Sequence, residues 1–229
     1  MKATAIITAG GIGTRILSPV PKQFIPIAGL PLIIHTLRAF DQAQTIDHVI
    51  VVLPETESDR LNQHELKRYE IQKVTAVVFG GETRQVSVGN GLEAIRWGAK
   101  YVAIHDAARC LVTPELVDRT VAACNGWDGA IAALPVRDTI KLVEGETILK
   151  TEPREKLWAM QTPQVFRFPF ILDAYRNAKA TGLVATDDAA VAEKAGGKIR
   201  VIEGSSRNLK ITFEEDLRLA ETILKAGGK

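Results

Sequence analysis

Short β-branched runs alternate with longer stretches of helical character along the chain. Residues 4–8 read TAIIT, residues 48–53 HVIVVL, residues 75–79 TAVVF and residues 101–105 YVAIH. Between them lie a helical pattern from Pro31, a polar one from Thr56 and another after Thr83. Apolar strand-length runs separated by helical segments predict βαβ units, and therefore a mainly parallel sheet in a three-layer α/β fold. Thr113 and Pro114 open a further helix, since proline suits a first helical position. Residues 129–136, GAIAALPV, then form a buried-looking run that brings the sheet to at least five strands. Near the end, KIRVIE (198–203) reads as a strand. Thr212, with Glu215 three residues on, forms a capping box ahead of Leu217, Ala220 and Leu224 on one helical face.

One segment breaks this rhythm. From Arg137 to Glu155 two short alternating stretches flank Glu144, Gly145 and Glu146, which predicts a β-hairpin leaving the α/β body as an arm over about 137–155. A hairpin buries too little to be stable alone, so the arm is expected to pack on a second subunit and make a homodimer. The whole chain, 1–229, reads as one domain that carries this arm.

Composition narrows the chemistry. The 29 cations and 27 anions among 229 residues nearly cancel, which excludes a sequence-wide field for nucleic acid or a membrane surface. Anions must be bound locally. Cys110 and Cys124 are the only cysteines and form no C-x-x-C pair, and no apolar run reaches spanning length. These features predict a soluble protein of a reducing cytoplasm.

The local anion site is legible just after the first strand. Residues 8–24, TAGGIGTRILSPVPKQF, combine a glycine turn with Arg15 and Lys22. Glycines let backbone N–H groups approach a phosphate, and the cations balance it. The loop lacks the third glycine of a dinucleotide fingerprint, Ile16 standing there, and lacks the Gly-Lys-Ser/Thr of a Walker A loop. A nicotinamide dehydrogenase and a P-loop enzyme are both disfavoured. No G-x-S-x-G elbow or H-E-x-x-H zinc helix is present.

The pattern A-G-G-x-G-T-R at 9–15, P-K-Q-F at 21–24 and Leu-Pro-Leu at 30–32 resembles the signature loop of nucleotidyltransferases that join a nucleoside triphosphate to a sugar phosphate. Further motifs follow in order: GGETRQVSV (80–88), HDAAR (105–109), PVRDTIK (135–141), QTPQ (161–164), ATDDA (185–189) and NLKIT (208–212). Together they resemble the 2-C-methyl-D-erythritol 4-phosphate cytidylyltransferase family of the non-mevalonate isoprenoid pathway, from Ala5 to the last helix. The resemblance implies a Rossmann-like nucleotidyltransferase fold and the joining of CTP to methylerythritol phosphate with release of pyrophosphate. It also implies a need for Mg²⁺ and a homodimer that exchanges the arm. Gly10 departs from the alanine usual there in that family and Cys110 from a proline, so ribitol-5-phosphate cytidylyltransferase stays open as a second resemblance. A regulator that holds CTP without turnover is a more distant alternative.

By the same resemblance, Ala9, Gly10, Gly11, Gly13 and Gly81 contact CTP through their main chain, Ser87 its base and Glu82 its ribose. Arg15, Lys22 and Lys210 face the phosphates as the catalytic cations. Asp106 helps to hold the magnesium-nucleotide and the sugar phosphate. Arg109, Thr162 and Thr186 belong to the second-substrate pocket, which Thr139 and Arg154 enter from the neighbouring arm. The chemistry suits such a set. A phosphate monoester is already ionised near neutrality and needs no general base, so the difficulty is repulsion between anions. Two unit charges near 4 Å repel by roughly 4 kcal/mol at an effective dielectric of 20, and fixed cations offset this. His105, beside an apolar strand, is expected to be structural. Asp187 and Asp188 are accounted for as residues of a first helical turn. Lys141 and Lys150 are read as solvated charges.

Overall fold

The computed structural model describes residues 2–10, 16 and 18–227. Strand β1 (Ala3–Thr8) precedes a two-residue ladder of β2 (Pro26–Ile27) with β3 (Leu30–Pro31), and then helix α1 (Leu32–Gln42). Next come β4 (Ile46–Leu53), α2 (Gln63–Arg68), β5 (Val74–Phe79), α3 (Arg84–Glu93), β6 (Tyr101–Asp106) and α4 (Pro114–Ala123). The second half holds β7 (Gly129–Pro135), the arm strands β8 (Lys141–Glu144) and β9 (Thr147–Thr151), and β10 (Trp158–Arg167). It closes with α5 (Phe168–Thr181), α6 (Asp188–Lys194), β11 (Ile199–Glu203) and α7 (Glu214–Gly227).

Seven strands form one sheet in the order β11-β7-β10-β6-β1-β4-β5. All neighbours are parallel except β10, which runs antiparallel to both β6 and β7. The strands are apolar on both faces because both are covered. Ala5, Ile7, Val49 and Val51 point into one core with α1 and α4, while Ile6, Ile50, Val52 and Ile104 point into another with α3, α5 and α6. This is the three-layer α/β arrangement expected from the sequence. A third cluster joins α7 to Leu32, Leu111 and Ile211, so the last helix packs across the loops and not against the sheet.

Helix starts follow local chemistry. Thr83 and Thr113 cap α3 and α4, accepting hydrogen bonds from the N–H groups of Val86 (3.1 Å) and Leu116 (3.3 Å). Two expectations shift. The polar segment from Thr56 is a 3-10 helix over Glu55–Leu61, and the α-helix begins only where Asn62 caps Glu65 N–H. At α7 it is Asp216, not Glu215, that accepts from Thr212 N–H (2.7 Å) and Phe213 N–H (2.8 Å). The Thr212 hydroxyl donates instead to the Lys210 carbonyl, so the helix starts at Glu214, two residues beyond the expected cap.

Strand β10 has no counterpart in the sequence pattern. It carries Gln161, Thr162 and Gln164 buried, with Pro163 inside it, and its pairing with β7 shifts register between Met160 and Gln164. A proline that donates no ladder bond is tolerated at such an irregularity. The predicted arm is present as β8 paired only with β9, every one of their residues exposed, including Leu142, Val143, Ile148 and Leu149.

His105 is wholly buried on β6 and tilted against Phe40. Its Nε2 lies 3.3 Å from the Arg109 carbonyl, which only accepts, so Nε2 carries the proton and Nδ1 accepts from the Thr162 hydroxyl at 3.0 Å. Burial pushes its pKa down to about 3. The folded state therefore refuses a proton that the unfolded chain takes up below about 6.5, and stability is lost as pH falls through that window. Denaturation curves should show a loss approaching about 1.4 kcal/mol per pH unit from this one group, absent in His105→Gln. An identical pH dependence in the variant would exclude it as the source. Gly91 tests the packing of α3: a Cβ there would meet Ile6 Cγ2 at 2.8 Å and Val52 Cγ2 at 3.2 Å. Gly91→Val is expected to cost about 1–3 kcal/mol, read as a lower urea midpoint at unchanged slope.

Candidate active site

Parallel strands leave their C-terminal ends open to one edge of the sheet, where ligands of such folds bind. Here β1 and β6 pair so that Thr8 stands beside Asp106, and the chain leaving β1 supplies Ala9 and Gly10. These residues line a cavity of about 720 Å³, within the usual range for small-molecule sites. Gly11, Gly13 and Arg15 lie outside the described residues.

A second wall comes from the turn into α3, with Gly80, Gly81, Glu82 and Ser87. The backbone there passes so close to the helix that a Cβ on Gly81 would meet Val86 Cγ1 at 2.2 Å, and one on Gly80 would meet Ser87 Oγ at 2.9 Å. The Ser87 hydroxyl accepts from Gly81 N–H (3.1 Å) and donates to the Thr83 carbonyl (2.9 Å), which fixes the turn. Glu82 is exposed at the cavity.

The third wall is cationic. Lys22, from the 3-10 turn Lys22–Phe24, and Lys210, from the segment after β11, both line the cavity. Lys22 Nζ donates to the Ile211 carbonyl at 2.9 Å, so the two distant stretches meet one residue from Lys210.

At the back, Lys210 Nζ lies 2.7 Å from Asp106 Oδ2, and Arg84 Nε lies 2.8 Å from Asp106 Oδ1. The far side of the Arg84 guanidinium grips Asp188 with two bonds of 3.0 and 2.8 Å. Asp188 is fully buried and also accepts from the Tyr175 hydroxyl at 2.5 Å. Burial alone would raise the pKa of Asp106, but the charges of Arg84 and Lys210 outweigh it and hold the carboxyl well below its ordinary range. Burial works against the charge on Arg84, and Asp188 and Asp106 together keep it protonated.

Sequence reasoning named both Asp106 and Lys210 for the site but passed over Arg84 and assigned Asp188 to helix capping. The cap is Asp187, which accepts from Ala190 N–H at 2.9 Å, and its neighbour points inward. The available signal was an arginine in the middle of GGETRQVSV, unpaired by any local acidic partner at helical spacing. The other expected residues are dispersed. Arg109 donates to the carbonyls of Asn208 (2.8 Å) and Met160 (3.4 Å) and does not line the cavity. Thr162 is buried, its hydroxyl accepting from Asp106 N–H at 3.2 Å as it bonds His105. Thr186 is exposed just ahead of the α6 cap. Thr139 and Arg154 are exposed at the arm and outside the cavity lining, Arg154 donating to the Arg137 carbonyl at 2.8 Å. Among the described residues no group of three or more His, Cys, Asp or Glu side chains is gathered to hold a metal ion.

Comparison with known proteins gives this geometry a family. The chain is 43% identical over 229 residues to a 2-C-methyl-D-erythritol 4-phosphate cytidylyltransferase of Syntrophotalea carbinolica, covering 100% of this chain and 98% of the relative. It is 40% identical over 228 residues to the one from Geotalea uraniireducens, covering 99% and 98%. Among solved structures it resembles 4-diphosphocytidyl-2C-methyl-D-erythritol synthase from Anaerococcus prevotii, with a TM-score of 0.86 at 29% identity over 98% of this chain and 96% of that one. The cytidylyltransferase from Thermus thermophilus aligns with a TM-score of 0.79 at 32% identity, over 96% and 98% of the two chains. The sequence profile of the 2-C-methyl-D-erythritol 4-phosphate cytidylyltransferase family matches residues 3–226, from β1 almost to the end of α7, and the chain belongs to that family.

Proposed function

We propose that this chain joins CTP to 2-C-methyl-D-erythritol 4-phosphate, giving 4-diphosphocytidyl-2-C-methyl-D-erythritol and pyrophosphate. The observation that carries the reading is the convergence of Lys22, Lys210 and the glycine-lined turns on one cavity at the open edge of the sheet. The sugar-phosphate oxygen forms a bond to the α-phosphorus as the bond from that phosphorus to the bridging oxygen breaks, and pyrophosphate departs. No base is required for an ionised phosphate, so the residues act by placement and charge.

Main-chain groups of Ala9, Gly10 and Gly81 hold the nucleotide, with Ser87 at the base and Glu82 at the ribose. Lys22 and Lys210 meet the phosphates, where they stabilise charge that grows on the pentacoordinate phosphorus. Gly11, Gly13 and Arg15 complete this set on their motif alone. Magnesium fits as an ion carried by the triphosphate: Asp106 is already flanked by two cations, and among the described residues it is not gathered with Glu55 and Glu82, the other acids lining the cavity, into a group that would hold the metal. Asp106 would be the residue to meet a Mg²⁺ carried in with the triphosphate, which would offset phosphate charge there.

The second substrate takes Arg109, Thr162 and Thr186 from the same chain, and Thr139 with Arg154 from a second copy. An arm that pairs with no other strand and exposes Leu142, Val143, Ile148 and Leu149 supports a homodimer in which each arm completes its neighbour's site. The whole chain, 1–229, arm included, acts as one nucleotidyltransferase domain. No helix among the described residues is long and apolar enough to cross a membrane, and two buried unpaired thiols suit a reducing cytoplasm.

Pyrophosphate release with Mg²⁺, crossing four nucleoside triphosphates against methylerythritol phosphate and ribitol 5-phosphate, is expected only for CTP with methylerythritol phosphate. Release with ribitol 5-phosphate alone would move the substrate assignment, and silence in every pair would remove the enzymatic one. Lys22→Ala and Lys210→Ala should each lower kcat by about 10²–10³-fold while circular dichroism stays unchanged. Near-normal turnover in either would strip that lysine of its role.

A further inference from the structure

Two cations touch the Asp106 carboxylate, and they are held in different ways. Lys210 is bound to one oxygen only by its ammonium, and its side chain is 45% exposed at the cavity. Arg84 is 29% exposed and gripped from behind by both oxygens of the fully buried Asp188, which Tyr175 secures in turn. A lysine stem is flexible and its ammonium carries a point charge, whereas a guanidinium fork in a two-bond grip has one orientation.

We propose that Arg84 is a positioning residue: clamped by Asp188 and Tyr175, it stays on Asp106 as a fixed counter-ion and so lets Lys210 change partners from Asp106 to the nucleotide phosphates. This rests on the cytidylyltransferase reading above. With these pairs in place, the four charges of Asp106, Asp188, Arg84 and Lys210 cancel. When an anionic triphosphate enters, Lys210 is the cation free to turn toward it. Without Arg84 that turn would leave Asp106 a buried anion facing another anion, and Lys210 would remain trapped on it. Without Asp188, Arg84 itself, which also lines the cavity, would be drawn to the phosphates, and Asp106 would lose its fixed orientation.

The test compares Arg84→Gln, Arg84→Lys, Asp188→Asn and their Gln/Asn double variant with the wild type. It measures steady-state turnover, calorimetric affinity for magnesium-CTP without the second substrate, and thermal midpoints. Arg84→Gln and Asp188→Asn should each lower kcat/KM for CTP by about 10- to 100-fold and weaken CTP binding in the same order. Because Asp188 acts through Arg84, the double variant should fall no further than Arg84→Gln within about twofold. Arg84→Lys restores the charge but cannot bridge both carboxylates, so it should remain defective. Losses that multiply in the double variant would overturn the relay. So would full rescue by lysine, or activity falling only as the folded fraction falls with CTP affinity intact. Tyr175→Phe guards against loss of fold, since it loosens Asp188 without stranding a charge and should show a milder defect of the same kind. A wild-type enzyme that binds CTP but releases no pyrophosphate would reject the assigned reaction, while the binding series would still decide for or against the clamp.

Discussion

A carboxylate withdrawn from water at the end of a β-strand persists as an anion only if fixed cations surround it, and Asp106 is such a group. Burial acts to neutralise it, and the charges of Arg84 and Lys210 prevail. That balance joins parts of the chain which share no local contact: β6 carries Asp106, the first turn of α3 carries Arg84, and the stretch after β11 carries Lys210. Removing Arg84 would strand Asp188, which is fully buried, and breaking such a pair typically costs several kcal/mol, so these elements are bound to one another by charge as well as by packing.

The sheet provides the frame in which that balance is struck. Register between β1 and β6 sets Thr8 beside Asp106, with the Thr8 hydroxyl 3.3 Å from Oδ1. The antiparallel insertion of β10 brings Thr162 to the Asp106 N–H and to the buried His105, which fixes the strand end from the opposite side. Gln161 accepts from Ser205 N–H (3.2 Å) and from the Asn208 amide (3.3 Å), and a Cβ on Gly204 would strike its Oε1 at 2.3 Å. The loop that delivers Lys210 is thereby tied to the same strand. A polar, proline-interrupted β10 thus serves the site more than the core.

Against this cavity stands the arm, whose strand residues are all exposed and whose strands, among the described residues, pair only with each other. The contrast is what the proposed homodimer calls for, in which each arm reaches its neighbour's second-substrate pocket.

What the sequence determined by itself were features whose causes are local. β-branched runs separated by helical periods specified the parallel strands, Thr83 and Thr113 announced their helices, and alternation around Gly145 announced the arm. The family motifs marked the glycine turns, Lys22, Asp106 and Lys210, because such sites need particular residue types at particular spacings. Tertiary structure decided the rest. Strand β10 escaped the pattern because its polar residues satisfy partners on other elements and its proline sits at a register shift, neither visible in a linear period. Arg84 and Asp188, 104 positions apart in the chain, could not be read as a pair, since each alone is an ordinary charge near a helix start. Long-range electrostatics in a buried place has no signature in sequence spacing, and only the closing of the sheet and helices brought those charges within hydrogen-bond reach.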